Sequence, residues 1–263
     1  MLLLKRFYYS VKNFFQMIPA FFRKIGMPSK KFSLIKQYKN IHKGERCFIV
    51  AMGPSLTKED LEKIKNEITF SMNSICLLYE KSDFTFRPTY YGIQDEYVFE
   101  KLFDILKNGN YSHPVFYADY LKKKSKNIPN NWIPFFLNNQ YHMFDFNYTN
   151  KFFSKFSKNA YSVVYDGYSI TCSLIQIAIY MGFSKIYLIG CDNNYISGSK
   201  NNHFIDHGVI DTKAETAGIR MNTSYIAAKK FSEKHNIQII NVTRGGHLEV
   251  FTRKTLEDVL NEQ

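Results

Sequence analysis

Residues 48–56 read FIVAMGPSL, and the interpretation of the whole sequence starts from this stretch. An apolar run ends abruptly at Gly53, Pro54 and Ser55, and a polar, helix-like segment follows. This pattern is typical of a buried strand that leads into a ligand-binding turn. The turn matches neither a dinucleotide-binding loop nor a phosphate-binding loop with its lysine. We expect Gly53 to let a ligand approach the backbone and Ser55 to offer a hydroxyl beside a helix N-terminus, with a plain strand–helix turn as the alternative.

Short apolar runs alternate with helix-like segments along most of the chain. The predicted strands are 46–51, 68–72, 89–93, 114–118, 185–191 and 237–242. A capping-box pattern at Thr57 and Asp60 predicts the start of one helix. Further helices are predicted over 96–108, 169–183 and 223–235. Strands that alternate with helices favour right-handed crossovers. We therefore predict an α/β fold with a single Rossmann-like, mostly parallel sheet and flanking helices.

Polar residues follow several of the predicted strands, and open parallel sheets bind ligands at the carboxyl ends of their strands. This collection comprises Gly53, Pro54, Ser55, Asn73, Gln94, Asp95, Asp192, Asn193, Asn194, Thr243 and Arg244. Together these residues predict one binding site at one edge of the sheet. Asp95 and Asp192 can hold Mg²⁺ if they converge, although strand-end acids more often cap helices. No D-x-D sequence occurs, so no metal site is predicted.

Residues 193–222 lie between a predicted strand and a predicted helix and are rich in Gly, Ser, Asn and Asp. The segment is long for a simple connection, so we interpret it as a mobile lid. It contains Tyr195, His203 and His207. A neutral histidine can take a proton from a sugar hydroxyl at about neutral pH, so both histidines are candidate bases. Solvated loop histidines are the alternative, and His247 is the next candidate.

Residues 1–44 form an arm with ten Lys or Arg and no acidic residue. Apolar residues recur in it every three or four positions, which predicts a basic amphipathic helix. No run approaches the roughly 20 apolar residues of a membrane span, and no signal-peptide pattern is present. We expect the arm to associate with an anionic membrane surface, with packing on the protein's own core as the alternative. Residues 45–263 are predicted to form one Rossmann-like domain, in which 101–160 are an insertion or subdomain.

The net charge of +12 belongs mostly to this arm, because residues 45–263 carry 25 basic and 23 acidic side chains. That balance argues against a broad nucleic-acid-binding face. The four cysteines form no C-x-x-C pair and no zinc-binding spacing with histidine. They are best interpreted as buried, reduced thiols of a cytosolic protein.

Several stretches resemble the bacterial sialyltransferases that decorate lipooligosaccharide: FIVAMGPSL, SMNSI (71–75), YYGIQD (90–95) and SITCSLIQIAIYMGFSKIYLIGCDNNY (169–195). They also resemble a broader group that is named after 6-hydroxymethylpterin diphosphokinase and includes many proteins of surface-polysaccharide gene clusters. The ending IQIINVTRGGHLEVFTR (237–253) looks much like that broader group. The resemblance covers roughly residues 45–100 and 165–253.

The resemblance implies a glycosyltransferase domain over 45–263 that uses a CMP-activated sugar, with no metal and no further cofactor. The implied donor-site residues are Gly53, Pro54, Ser55, Asn73, Gln94 with its neighbour Asp95, Ser169, Thr171 and Asp192. The sequence departs from the sialyltransferase pattern at Met52, where that family has Asn, and at Ile219, where it has the catalytic His. A histidine base would therefore come from His203 or His207.

The favoured function is transfer of a sugar, sialic acid included, from a nucleotide-sugar donor to a surface glycan or lipid-linked acceptor. The alternatives are a pyrophosphoryl transferase that uses ATP and Mg²⁺, and an inactive module that scaffolds polysaccharide assembly. We expect a cytoplasmic protein on the inner face of the bacterial cytoplasmic membrane, without a nucleic-acid partner.

Overall fold

The computed structural model describes residues 2–109, 112–142, 152–195, 203–206, 208 and 214–262. Their strands are β1 (Arg46–Val50), β2 (Thr69–Met72), β3 (Tyr90–Ile93), β4 (Val115–Ala118), β5 (Ile133–Phe135), β6 (Leu137–Asn138), β7 (Val164–Tyr165), β8 (Lys185–Ile189), β9 (Gln238–Asn241) and β10 (Thr252–Arg253). Eight of them form one parallel sheet in the order β10-β9-β8-β1-β2-β3-β4-β5. β6 and β7 pair separately. The predicted α/β fold with a mostly parallel sheet is confirmed.

β1 lies inside the sheet, and the chain changes its direction of winding beside it. The chain runs outward from β1 through β2 to β5, and later returns to the opposite side of β1 to form β8, β9 and β10. Val50 at the end of β1 pairs with Ile189 at the end of β8. The carboxyl ends of β1 and β8 therefore meet at the switch point, where open parallel sheets bind their ligands.

The described helices are α1 (Leu2–Lys24), α2 (Ser33–Lys36), α3 (Lys58–Lys63), α4 (Glu96–Asn108), α5 (Ile170–Met181), α6 (Ala214–Lys234) and α7 (Leu256–Leu260). Every residue of α5 is buried, which explains its nearly continuous apolar sequence. Thr57 and Asp60 form the predicted capping box of α3, and Thr255 forms a second one at α7. None of the described helices is long and apolar enough to cross a membrane.

The prediction of an insertion over residues 101–160 is wrong for the first half of that range. α4 and β4 are regular parts of the fold, and β5 extends the sheet by one more strand. Pro134 in β5 made the sequence unlike a strand, but β5 lies at the edge of the sheet, where proline is tolerated. Trp132 and Phe135 are buried in the core, which fixes this segment to the domain.

The boundary of the predicted N-terminal arm is also different in the structure. Phe32 and Ile35 are buried in the core, so α2 packs on the body of the protein. The backbone N–H groups of Asn40, His42 and Gly44 donate to carbonyls of residues 180–182 at the end of α5. Residues 32–44 therefore belong to the body, and the arm as a separate element is limited to α1 and its following turn.

α6 begins at Ala214, nine residues before the predicted start at position 223. Residues 214–222 of the predicted lid are therefore helical. Ala217 is fully buried, and this tertiary contact stabilises two helical turns whose Gly, Asn and Thr content gives little helix propensity. All four cysteines are buried and free, as predicted.

The half-buried imidazole of His113 generates a prediction about stability and pH. Burial, with a smaller effect of Arg87, lowers the pKa of His113 to about 4. The folded state therefore binds fewer protons than the unfolded state between this value and the ordinary pKa of about 6.5, so stability falls as pH decreases through that window. We expect the free energy of unfolding to fall by about 2 kcal/mol between roughly pH 7 and pH 5 through this group.

Urea unfolding at both pH values measures the effect. His113→Gln should flatten the pH dependence, because glutamine does not titrate. Equal slopes for the wild type and His113→Gln would contradict the assignment.

Candidate functional site

A cavity lies at the carboxyl ends of β1, β2 and β8, beside the N-terminus of α5 and one side of α6. We call it the strand-end cavity. Its lining is Ala51, Met52, Gly53, Met72, Asn73, Ser169, Ile170, Thr171, Gly190, Cys191, Asp192, Asn193, Asn194, Tyr195, His203, Met221 and Tyr225. Seven of the candidate catalytic and donor-site residues are among them, namely Gly53, Asn73, Ser169, Thr171, Asp192, Tyr195 and His203, together with Asn193 and Asn194 of the strand-end collection. Distant parts of the sequence thus meet where the strand-end argument expected them.

Two asparagines of this lining have a left-handed backbone conformation, which residues other than glycine seldom adopt. The φ angle is +49° at Asn73 and +53° at Asn193. The side-chain Oδ1 of each is buried and accepts no hydrogen bond from any described residue. Buried acceptors without a donor are costly, and strained backbone is concentrated at ligand sites. Both asparagines line the cavity, so these two buried acceptors lie in the residues that surround it.

The N-terminus of α5 forms another wall of the strand-end cavity. Ser169 is the N-cap residue, and its hydroxyl accepts a hydrogen bond from the N–H of Thr171 at 3.2 Å. Both residues line the cavity. Because first-turn N–H groups of a helix carry partial positive charge, this wall suits a phosphate or another anion.

Asp192 connects the three turns that follow β1, β8 and β9, and we call this arrangement the Asp192 junction. Its carboxylate Oδ2 accepts hydrogen bonds from the hydroxyl of Ser55 at 2.8 Å and from the Ser55 N–H at 3.4 Å. Its carbonyl accepts a hydrogen bond from the N–H of His247 at 2.6 Å. A Cβ atom at Gly53 would lie 1.9 Å from Asp192 Oδ2. The missing side chain of Gly53 thus makes room for Asp192.

The remaining predicted residues lie around the strand-end cavity but do not line it. Pro54 is exposed on the turn after β1. Gln94 is buried, where its Oε1 accepts a hydrogen bond from Ser173 at 2.6 Å. Asp95 caps α4, because its Oδ1 accepts hydrogen bonds from two first-turn N–H groups, each at 2.9 Å. Ser55 faces a second cavity beside the Asp192 junction.

That second cavity has a volume of about 480 Å³ and is lined mainly by residues that follow β9 and by the first residues of α7. Three cations reach it, and each has a carboxylate partner. Arg244 pairs with the buried Asp60 at 2.6 Å, Arg253 with Glu249 at 3.1 Å, and Lys254 with Glu262. The cavity is therefore large, but its positive charges are already compensated.

A short segment of the predicted lid covers the strand-end cavity. We call residues 203–206 the covering segment. The N–H of Phe204 donates to the carbonyl of Met52 at 2.7 Å, and the hydroxyl of Ser74 donates to the carbonyl of Ile205 at 2.8 Å. His203 lines the cavity, and His207 lies outside the described residues. The volume of the strand-end cavity is about 60 Å³.

The sequence did not identify Met221 and Tyr225 of α6 as part of this lining. Tyr225 is almost completely buried, and burial raises the pKa of its phenol well above its ordinary value. Met221 lies in the segment that was interpreted as a lid, and Tyr225 lies in a predicted helix that showed only amphipathic periodicity. Their position on the cavity side of α6 depends on how that helix packs against α5, and no local motif encodes it.

A buried polar cluster next to Gln94 was also missed. His142 Nε2 lies 3.6 Å from Asp166 Oδ2, and Gln94 Nε2 donates to Asp166 Oδ1 at 3.4 Å. Burial lowers the pKa of His142 and raises the pKa of Asp166. Both shifts favour the neutral forms. Neither His142 nor Asp166 lines the strand-end cavity. The cluster therefore acts indirectly, through its hydrogen bond to Gln94 beside the site.

The described residues contain no group of three or more His, Cys, Asp or Glu side chains with a geometry suited to a metal ion. Asp192 lines the strand-end cavity and Asp95 does not, and each carboxylate accepts hydrogen bonds from its own neighbours. The two carboxylates that were considered as Mg²⁺ ligands therefore accept hydrogen bonds from protein groups in the described part of the chain.

A model of the family described as "6-hydroxymethylpterin diphosphokinase MptE-like" matches residues 21–198. This match confirms the resemblance to the group named after that enzyme. A search of curated protein sequences gives no match.

Two solved structures are similar in fold. The MAf glycosyltransferase from Magnetospirillum magneticum AMB-1 has a TM-score of 0.52 and 14% identity, over 85% of this chain and 37% of that chain. This chain thus spans little more than a third of that protein. The sialyltransferase CstII from Campylobacter jejuni, solved with the substrate analogue cytidine-5'-monophosphate, has a TM-score of 0.49 and 17% identity, over 80% of this chain and 85% of that chain.

The Asp192 junction generates a graded stability prediction. Ser55→Ala should lower the free energy of unfolding by roughly 1–2 kcal/mol, because a partly buried carboxylate loses its short hydrogen bond. Gly53→Ala should cost more, since its Cβ would overlap Asp192 Oδ2. Ser33→Ala, which removes an exposed hydroxyl bonded to the Lys30 carbonyl, is the control and should be nearly neutral. Urea unfolding gives the order, and a Ser55→Ala variant as stable as Ser33→Ala would refute the role of the junction.

Proposed function

The chain belongs to the 6-hydroxymethylpterin diphosphokinase MptE-like family, and we propose that it is a glycosyltransferase that binds a nucleotide-sugar donor in the strand-end cavity. The convergence of seven predicted site residues on this one cavity at the switch point of the sheet carries the proposal. The fold shared with a known glycosyltransferase is compatible with it. CMP is the favoured nucleotide, because the sequence resembles the lipooligosaccharide sialyltransferases over the strand-end motifs. The acceptor in this proposal is a surface glycan or a lipid-linked glycan.

The donor would use the polar atoms of the strand-end cavity in distinct ways. Its phosphate would accept hydrogen bonds at the N-terminus of α5, near Ser169 and Thr171. Its hydroxyl or amino groups would donate to the unpaired oxygens of Asn73 and Asn193. Asp192 would act indirectly, since its carboxylate holds the turn of Gly53 and Ser55 in place.

His203 is the proposed base for the transfer step. It would take the proton of the acceptor hydroxyl, whose oxygen then forms a bond to the anomeric carbon of the donor sugar. The bond from that carbon to the phosphate oxygen would break, and the nucleotide would leave with the electron pair. Tyr195, another residue of the lining, would donate a hydrogen bond to the departing phosphate.

Donor binding requires the covering segment to move. Ligand-binding sites usually have volumes of about 300–1,000 Å³, far above the volume of about 60 Å³ of the strand-end cavity. Opening this segment would break the hydrogen bonds from Phe204 to Met52 and from Ser74 to Ile205. The closed form therefore competes with the donor, and its stability lowers the apparent affinity.

The family description favours one alternative, a pyrophosphoryl transferase that uses ATP and Mg²⁺. The acids that would hold the metal near the strand ends are Asp95 and Asp192. Both have structural hydrogen-bond partners among the described residues, which weighs against this alternative. A scaffold without activity is the remaining alternative, and nucleotide binding separates it from both enzymes.

A thermal-shift screen with CMP, CDP, UDP, GDP and ATP, each with and without Mg²⁺, tests the proposed donor site. CMP should raise the melting temperature whether or not Mg²⁺ is present, since a ligand that binds only the folded state stabilises it. A shift that requires ATP and Mg²⁺ would replace the proposal by the pyrophosphoryl transferase. No shift with any nucleotide would favour the scaffold.

Two matched variants distinguish the two cavities in that screen. Ser169→Gly and Thr255→Gly each remove the hydroxyl of a helix N-cap, and glycine costs little stability at this position. Ser169 lines the strand-end cavity and Thr255 lines the second cavity. Ser169→Gly should reduce the CMP shift, and Thr255→Gly should leave it unchanged. The reverse result would move the donor to the second cavity.

The competition between the covering segment and the donor gives a prediction for Ser74. Ser74→Ala removes the hydrogen bond to the Ile205 carbonyl and should lower the apparent Kd for CMP by about fivefold, the equivalent of one hydrogen bond of about 1 kcal/mol. Calorimetric titration measures this change. Ser71→Ala is the matched control, because its buried hydroxyl bonds to the Val50 carbonyl and does not touch the covering segment. Equal Kd values for the two variants would contradict the competition.

The proposed base is tested by His203→Gln. Turnover, followed as CMP released from a CMP-sugar in the presence of glycolipid acceptors, should fall by about 10²–10⁴-fold, while the CMP-induced thermal shift remains. His235→Gln, at the end of α6 on the ring of Phe231, should retain wild-type turnover. Normal turnover of His203→Gln would exclude this histidine as the base.

A further inference from the structure

α1 packs on the body of the protein with its polar and small side chains. The amide of Asn138 donates to Asn13 Oδ1 at 2.8 Å and lies 3.1 Å from the sulfur of Met17. One turn further, Ala20 is fully buried, and its carbonyl accepts a hydrogen bond from the hydroxyl of Ser162 at 2.7 Å. The contacts of α1 with the body therefore include Asn13, Met17 and Ala20.

Arg23 fixes the end of α1 to the same part of the body. Its guanidinium is buried and donates to the carbonyls of Tyr161 at 2.8 Å and Ser162 at 2.5 Å. It also lies over the ring of Phe32, 4.4 Å from the centroid. A buried arginine with two hydrogen bonds and an aromatic partner holds one orientation, so α1 cannot rotate about its axis without losing these contacts.

The opposite side of α1 and its following turn is an exposed row of large apolar side chains, which we call the apolar stripe. Its members are Leu4, Phe7, Phe14, Phe15, Phe21, Phe22 and Ile25, and between 43% and 75% of each is exposed. Their spacing of three, four and seven residues places them on one face of the helix. A helix that packs on its own protein normally buries this face. The fixed orientation of α1 instead turns the face away from the body.

The charge of the N-terminal segment that carries the apolar stripe indicates what covers the stripe. Residues 1–44 contain ten Lys or Arg and no acidic residue, and Lys12, Lys24, Lys30, Lys36 and Lys39 are exposed. A second copy of the chain on this face would bring two strongly basic surfaces together, which is unfavourable. An anionic lipid surface satisfies both features, because phenylalanine rings enter the acyl boundary and lysines contact the headgroups.

We propose that the apolar stripe of α1 is a membrane-docking surface that lies in the interface of an anionic bilayer. α1 lies parallel to the membrane plane, and Arg23 keeps the body on the side away from the lipid. The docking surface is independent of the proposed function, since none of its residues lines either cavity.

Vesicle flotation of the full chain tests the proposal without nucleotide or acceptor. The protein should float with vesicles of equal parts phosphatidylcholine and phosphatidylglycerol and remain at the bottom with pure phosphatidylcholine. Phe14→Ser combined with Phe21→Ser should reduce the bound fraction at least tenfold, because two buried aromatic side chains are lost from the contact. The melting temperature of this double variant should stay unchanged, since both residues are exposed.

A double variant on a different surface is the matched control. Tyr97→Ser with Ile226→Ser removes two exposed large side chains from α4 and α6, and should float like the wild type. Equal flotation of the wild type and the Phe14/Phe21 variant would overturn the proposal. So would a wild type that does not float and instead forms a dimer that the same Phe14/Phe21 substitutions dissociate, because the stripe would then be an interface between copies.

Discussion

The contacts of Asp192 are the constraint on which the arrangement of the strand ends depends. One residue bonds to the turn after β1 through its carboxylate and to the turn after β9 through its carbonyl. Two glycines leave the space for these contacts. At Gly53 a Cβ would lie 1.9 Å from Asp192 Oδ2. At Gly246, where φ is +74°, a Cβ would lie 2.7 Å from the Asp192 carbonyl oxygen. The three turns therefore form one wall, with the strand-end cavity on one side and the second cavity on the other.

This constraint changes the meaning of the turn at 52–55. The sequence predicted that Gly53 leaves room for a ligand, and in the structure that room holds the Asp192 carboxylate. Gly53 still lines the strand-end cavity, but the absence of its side chain is required first by the Asp192 junction. Met52 has a similar double role, because its carbonyl accepts a hydrogen bond from Phe204 of the covering segment. The turn thus determines both the rigid wall of the cavity and the attachment of its movable cover.

The sequence was sufficient to predict the parallel sheet and the edge of the sheet at which the candidate site lies. Predicted strands such as 46–51 and 237–242 fall within a residue or two of β1 and β9, because fully buried parallel strands have continuous apolar sequences. Since such strands end at a common edge, their terminal residues were expected to meet. Local patterns could not reveal pairings over long separations, such as Ser55 with Asp192. They also missed β5, whose proline is tolerated only because of its edge position.

The segment 161–171 connects the two features that the proposals concern, α1 and the strand-end cavity. Its first residues, Tyr161 and Ser162, give their carbonyls to Arg23 of α1, and its last residues, Ser169 and Thr171, begin α5 at the strand-end cavity. β7 lies between them and pairs with β6, where Asn138 holds the middle of α1. A helix anchored at both points positions this segment rigidly. A membrane-docked α1 would therefore hold the cavity at a constant distance from the lipid surface, where a lipid-linked acceptor would be confined.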